Sequence, residues 1–165
     1  MSDRARDVLV VCCAVSAGIH AALTPEHFDE RVAAGVGFAL SAVLLAGIAL
    51  LLARRPTALL VDAAVVLLLG LIGAYVFAVT TGVPGLVPEP EAVEGIAVAT
   101  KVIEGVGVLA AVALRWSPSR PRSTVPLLPV AVVVVLSALM TAPVAGGHSH
   151  GGGDHHDHHS EHHDG

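Results

Sequence analysis

Residues 32–53, VAAGVGFALSAVLLAGIALLLA, run into Arg54-Arg55-Pro56-Thr57 and then into residues 58–80, ALLVDAAVVLLLGLIGAYVFAVT. Each apolar run has the roughly 20 residues that a helix needs to cross a hydrocarbon layer about 30 Å thick. Asp62 is the one charge in the two runs. A helix of this length in water needs a polar stripe, and neither run has one. Two antiparallel spans joined by a short basic turn satisfy every mid-bilayer backbone group inside the helices themselves.

Three more segments fit the same reading. Residues 8–23 form a short first span, residues 93–114 a fourth that carries charges, and residues 125–143 a fifth. Pro126 and Pro129 fall in the first turns of the fifth, where a missing N–H does least harm. The expected fold is all-α, an integral membrane bundle of about five transmembrane helices. Residues 1–7 precede it, residues 8–144 make the transmembrane domain, and residues 145–165 form a tail. Residues 24–31, 54–57, 81–92 and 115–124 read as the connections. No internal repeat is visible, which argues against an inverted-repeat transporter within one chain.

Composition agrees. Hydrophobic residues make up 54% of the chain and charged residues 14%, against about 25% charged in soluble domains. The net charge of −5 hides an uneven distribution, because Asp154, Asp157, Glu161 and Asp164 all lie in the tail. Lys and Arg never line a face with aromatics between them, so nucleic acid is excluded as a partner. Cys12 and Cys13 are adjacent, a spacing that disfavours a mutual disulfide. Val11 stands where a lipobox needs a small residue. No small-residue cleavage site follows the first apolar run, which is read as a retained helix.

Orientation follows from the basic residues. Arg4, Arg6, Arg54, Arg55, Arg115, Arg120 and Arg122 fall on one side of the five spans, and Arg31 alone on the other. Lys101 lies within a span. The expected topology has the N-terminus inside, the C-terminus outside, and a bacterial plasma membrane as the location.

The tail carries the most specific chemical signal. Residues 148–165 read HSHGGGDHHDHHSEHHDG. His148, His150, His155, His156, His158, His159, His162 and His163 supply imidazoles that suit Zn, Ni, Co or Cu. Asp154, Asp157 and Glu161 raise local cation concentration and can ligate or orient the rings. With no apolar residue, the segment cannot bury a core and reads as disordered when free. The alternative is a solvated tail with incidental metal affinity. The expected cofactor is a transition-metal ion of unassigned identity.

Within the spans, His20 lies near the outer end of the first helix, with Glu26 and His27 just beyond Pro25. Two imidazoles and a carboxylate there form a candidate divalent-cation receiving site. The alternative has His20 packed between helices and bonded to a backbone carbonyl. Cys12, Ser16 and His20 recur every four residues, with Cys13 beside them, and give the first helix a polar face that turns into the bundle. In the fourth span Glu94, Lys101 and Glu104 share a face. Glu104 lies about 16 Å in, close to the midplane. Ionisable groups at that depth need partners or a wet cavity, and Lys101 and Glu104 are spaced to pair. Their role is functional or structural. Small residues four apart, such as Gly107 and Ala111, allow close helix approach.

His20, Pro25-Glu26-His27, Gly82-Val83-Pro84-Gly85, Glu89-Pro90-Glu91, Gly95 and Glu104 together resemble a group of small, uncharacterised multi-spanning membrane proteins of high-GC actinobacteria. The resemblance covers residues 8–114 and implies the architecture and these residues, not a reaction. The chain departs from it where an aromatic is expected after Glu30 and an acidic residue near Thr100 or Lys101. The His20…Glu26-His27 spacing bears a fainter likeness to nickel/cobalt permeases, without the rest of their motif. No nucleophile–base pair, phosphate loop or fixed zinc triad appears, so an enzyme is not expected. Two functions remain open. One is transition-metal binding, homeostasis or transport, as a homo-oligomer or with a membrane partner. The other is a non-transporting accessory or sensor protein whose buried charges are structural.

Overall fold

The computed structural model of the chain describes residues 2–82, 94–116 and 132–137. Four long helices run in order: α1 (Ser2–Glu30), α2 (Val32–Arg54), α3 (Ala58–Thr81) and α4 (Gly95–Trp116). No strand occurs among the described residues. All four helices are long and apolar enough to cross a membrane. Their outer faces carry Val43, Leu59, Val66 and Leu109, all largely exposed, as lipid-solvated faces would be. The fifth expected span, residues 125–143, lies mostly outside the described residues. Its stretch 132–137 is helical, and Val133 and Val134 pack against the core. The tail also lies outside the described residues.

Helix α1 departs most from the sequence expectation. The predicted span stops at residue 23 and leaves residues 24–31 as a loop. Instead the helix begins at Ser2, continues through Pro25 and ends at Glu30. Proline deletes one i→i−4 bond, and neighbouring groups hold the turn. Thr24 Oγ1 donates to the His20 carbonyl at 2.8 Å, and the His27 ring bonds the Leu23 carbonyl at 2.9 Å. Regular bonding has resumed where the Arg31 N–H reaches the His27 carbonyl at 2.9 Å. Arg31 alone, in an extended conformation, separates α1 from α2. The Phe28 ring fills the space where a side chain at Gly35 would stand, which lets the hairpin close this tightly.

Helix α1 is the most buried of the four and packs on α2 and α4. Helix α3 packs on α4 and only lightly on α2. The shared core contains Leu9, Cys13, Leu45, Leu52, Leu68 and Ala111. Helix α3 starts from a Thr57 cap whose hydroxyl accepts from the Leu60 N–H at 3.3 Å. It stops at Gly82, whose φ of 68° favours a residue without Cβ. Replacing Thr57 with Ala should cost about 1 kcal/mol, measured as a lowered midpoint of reversible unfolding in mixed micelles.

Candidate functional site

The sequence candidates on α1 and α4 gather around one cavity. It lies at the end of the bundle where α1 and α3 finish and α2 and α4 begin. Its volume is about 490 Å³, and its lining includes His20, Glu26 and His27 from α1, together with Glu94 and Lys101. Continuing α1 through Pro25 is what unites them. His20 and His27 stand seven residues apart, two turns on one helix face, and both rings meet Phe38 of α2. His27 stacks on Phe38 with centroids 3.7 Å apart. His20 lies tilted against the same ring at 5.3 Å.

Each imidazole is oriented by its own helix. His20 Nδ1 is 2.8 Å from the Ser16 carbonyl, and His27 Nδ1 is 2.9 Å from the Leu23 carbonyl. A carbonyl only accepts, so Nδ1 carries the proton in both rings. In the neutral ring this leaves Nε2 as an acceptor.

Beneath the cavity lies a buried polar network. Glu104 is fully buried, and its Oε2 accepts from Lys101 Nζ at 2.7 Å. Its Oε1 accepts from Ser16 Oγ at 2.9 Å, and Ser16 Oγ is also 3.4 Å from His20 Nδ1. Lys101 Nζ makes a longer contact of 3.4 Å to the Leu71 carbonyl. It stands 5.7 Å from the Tyr75 ring centroid. The spacing of Lys101 and Glu104 anticipated their pairing. It did not reveal Ser16 as the link that ties His20 on α1 to Glu104 on α4.

Below Glu104 the core turns apolar until the buried Arg6 near the start of α1, whose guanidinium pairs with Asp7 at 2.9 Å. A Cβ on Gly107, one turn further along α4, would meet Leu68 Cδ1 at 3.0 Å and Cys12 Cβ at 3.1 Å, with Leu9 close behind. Side chains of α1 and α3 thus meet directly over α4. At the opposite end of the bundle Arg115 pairs with Asp62 at 3.1 Å, both half exposed. Cys12 and Cys13 are buried and unbridged.

Three candidate residues lie elsewhere than the sequence suggests. Glu26 and His27 do not lie beyond the helix that carries His20. They belong to it. Glu94 does not lie inside the fourth helix but directly before it, and its carbonyl accepts the Val98 N–H at 3.0 Å. Among the described residues, no three His, Cys, Asp or Glu side chains come close enough to share one metal ion. His20, Glu26 and His27 are brought to one cavity without converging on a common point. Tyr75 also lines the cavity, and its hydroxyl is buried without a hydrogen-bond partner among the described residues. A single tyrosine in an apolar run gave no signal of this. Comparison with protein-family models, with curated proteins and with solved structures finds no match.

Proposed function

We propose that this chain is a transition-metal-binding protein of the bacterial plasma membrane. In this reading the tail captures ions outside the cell, and the helices anchor the tail without conducting the ions. The tail's composition supports metal capture, with eight imidazoles interleaved with carboxylates in residues 148–165. The observation that carries the non-conducting part is the closure below Glu104. Conduction requires polar groups along a continuous path, and the described helices replace them with Leu9, Cys12 and Leu68 packed over Gly107. Among the described residues no three ligands share a site, and the tail's imidazoles are the candidates that remain. Candidate metals are Zn, Ni, Co and Cu. Imidazoles and carboxylates in this composition suit all four and do not choose among them. Its cargo would pass to a second copy or to a partner protein in the same membrane.

The test pairs a binding assay with a transport assay. Purified full-length protein should bind several ions of Zn²⁺ or Ni²⁺ per chain. A truncation after Ala145 should bind about an order of magnitude less, with unchanged helicity. Stripping the metal with a chelator should leave the unfolding midpoint of the full chain where it was. Cells expressing the full chain, the truncation or His20→Ala/Glu104→Gln should not differ in initial rates of metal uptake or efflux. A flux that depends on His20 and Glu104 would overturn this reading in favour of a transporter.

A further inference from the structure

The cavity between the four helices is not explained by a metal-binding tail, and its chemistry points elsewhere. About 490 Å³ is far more than a bare ion occupies and falls in the range of sites for small organic molecules. Much of its wall is apolar, with Ile19, Leu23, Leu71, Ala74 and Ala78 among the lining residues. Its polar groups are unbalanced. Glu26, Glu30 and Glu94 contribute carboxylates. His20 and His27 contribute Nε2 acceptors, because their Nδ1 protons are committed to backbone carbonyls. Among the described residues the one lining ammonium is Lys101, and it already has its counter-ion in Glu104 at 2.7 Å.

We propose that this cavity binds an organic ammonium group carried on a small apolar body. Three carboxylates, with Glu26 half-buried and Glu30 and Glu94 exposed at the mouth, face one neutralised ammonium and leave a negative potential there. An ammonium brings N–H donors or methylated positive charge to a site rich in acceptors. The Tyr75 hydroxyl, buried without a partner among the described residues, is a further acceptor. The Tyr75 ring already stands 5.7 Å from one ammonium, that of Lys101, a distance at which cations are attracted to an aromatic face. A metal ion fits less well, because no three ligands converge. An organic anion would meet three carboxylates. The ammonium has two available sources, a free amine or the amino headgroup of a lipid. The proposal does not depend on the tail or on its metal.

Full-length protein in non-ionic maltoside micelles should bind benzylammonium or benzyltrimethylammonium saturably by calorimetry, whereas benzyl alcohol and benzoate should not compete. Glu26→Gln/Glu94→Gln should weaken binding about tenfold, and Tyr75→Phe should weaken it by a smaller factor, with helicity retained in both. The truncation after Ala145 should bind the probe as well as the full chain. Displacement by micelle-doped phosphatidylethanolamine, but not phosphatidylglycerol, would identify a lipid headgroup as the source. Probe binding indifferent to both lipids would identify a free amine. Absence of saturable binding, equal binding of benzoate, or loss of binding with the tail would each overturn the proposal. So would a Zn²⁺ ion that binds the truncated chain and displaces the probe. None of these results bears on metal capture by the tail, which the full-length metal titration reads separately.

Discussion

Glu104→Leu should destabilise the bundle by about 3 kcal/mol, from the cost of breaking one side of a buried pair. The carboxylate is fully buried and serves two donors, Lys101 Nζ at 2.7 Å and Ser16 Oγ at 2.9 Å. Removing it leaves the Lys101 ammonium at the cavity floor without its counter-ion and the Ser16 hydroxyl without its acceptor. The loss falls at the lower end of the range for buried pairs, because the reference state in a membrane or micelle also offers partners. Glu104→Gln keeps acceptors for both donors and should cost less than half as much. Lys101→Met alone leaves the buried carboxylate without its counter-charge and should also destabilise. The double variant Lys101→Met/Glu104→Leu should recover most of the loss, since a well-packed apolar pair replaces a buried ion pair at little cost. Equilibrium unfolding in mixed micelles closes the cycle. A double variant no more stable than the worse single one would show that the network does more than satisfy its own charges.

Gly107→Leu should be as damaging, by a steric route. Even a Cβ at this position reaches 3.0 Å from Leu68 Cδ1 and 3.1 Å from Cys12 Cβ. A leucine methyl can rotate away, but Cys12 Cβ is fixed to the backbone of α1. Helices α1 and α4 must separate for any larger side chain. Overpacking of this kind costs about 1–3 kcal/mol. Gly107→Ala should fall near the lower figure and Gly107→Leu at or above the upper one. Leu68→Ala introduced beside Gly107→Ala should return part of the loss, whereas a variant remote from the contact should not. Retention of the wild-type unfolding midpoint by Gly107→Leu would mean that the two helices do not approach so closely.

Helices α2, α3 and α4 were legible because a predominantly apolar run longer than 20 residues has few alternatives to a span. Their observed ends differ from the expected ones by two residues or fewer. The outer part of α1 was not legible. Thr24, Pro25, Glu26, Asp29 and Glu30 have the composition of a loop, and what keeps them helical lies elsewhere in the chain. Phe38 on α2 provides the surface on which His20 and His27 both lie. Local preference yields to such packing when the helix has a partner along its whole length. The pairing of Lys101 with Glu104 could be read from their spacing, and Ser16 from the four-residue repeat of polar groups on α1. Nothing in the sequence announced that these two observations concern one network. Tyr75 carried no signal because its role depends on where α3 meets α4. The histidine tail, the clearest chemical signal in the chain, lies outside the described residues.

The length of α1 has a mechanical corollary. At 29 residues it extends about 43 Å, against about 34 Å for the 23 residues of α2, from the helical rise. A hydrocarbon layer of about 30 Å cannot cover it end to end. A surplus at its C-terminal end would carry the turns that bear Glu26 and Glu30 beyond the hydrocarbon, and α1 would then act as a ruler standing proud of the bilayer. Thickening the membrane would draw those carboxylates into hydrocarbon unless α1 tilts less, and thinning it would lift them clear. Each ångström of mismatch costs a fraction of a kcal/mol. With the surplus at that end, bilayer thickness would set how readily the mouth of the cavity meets water.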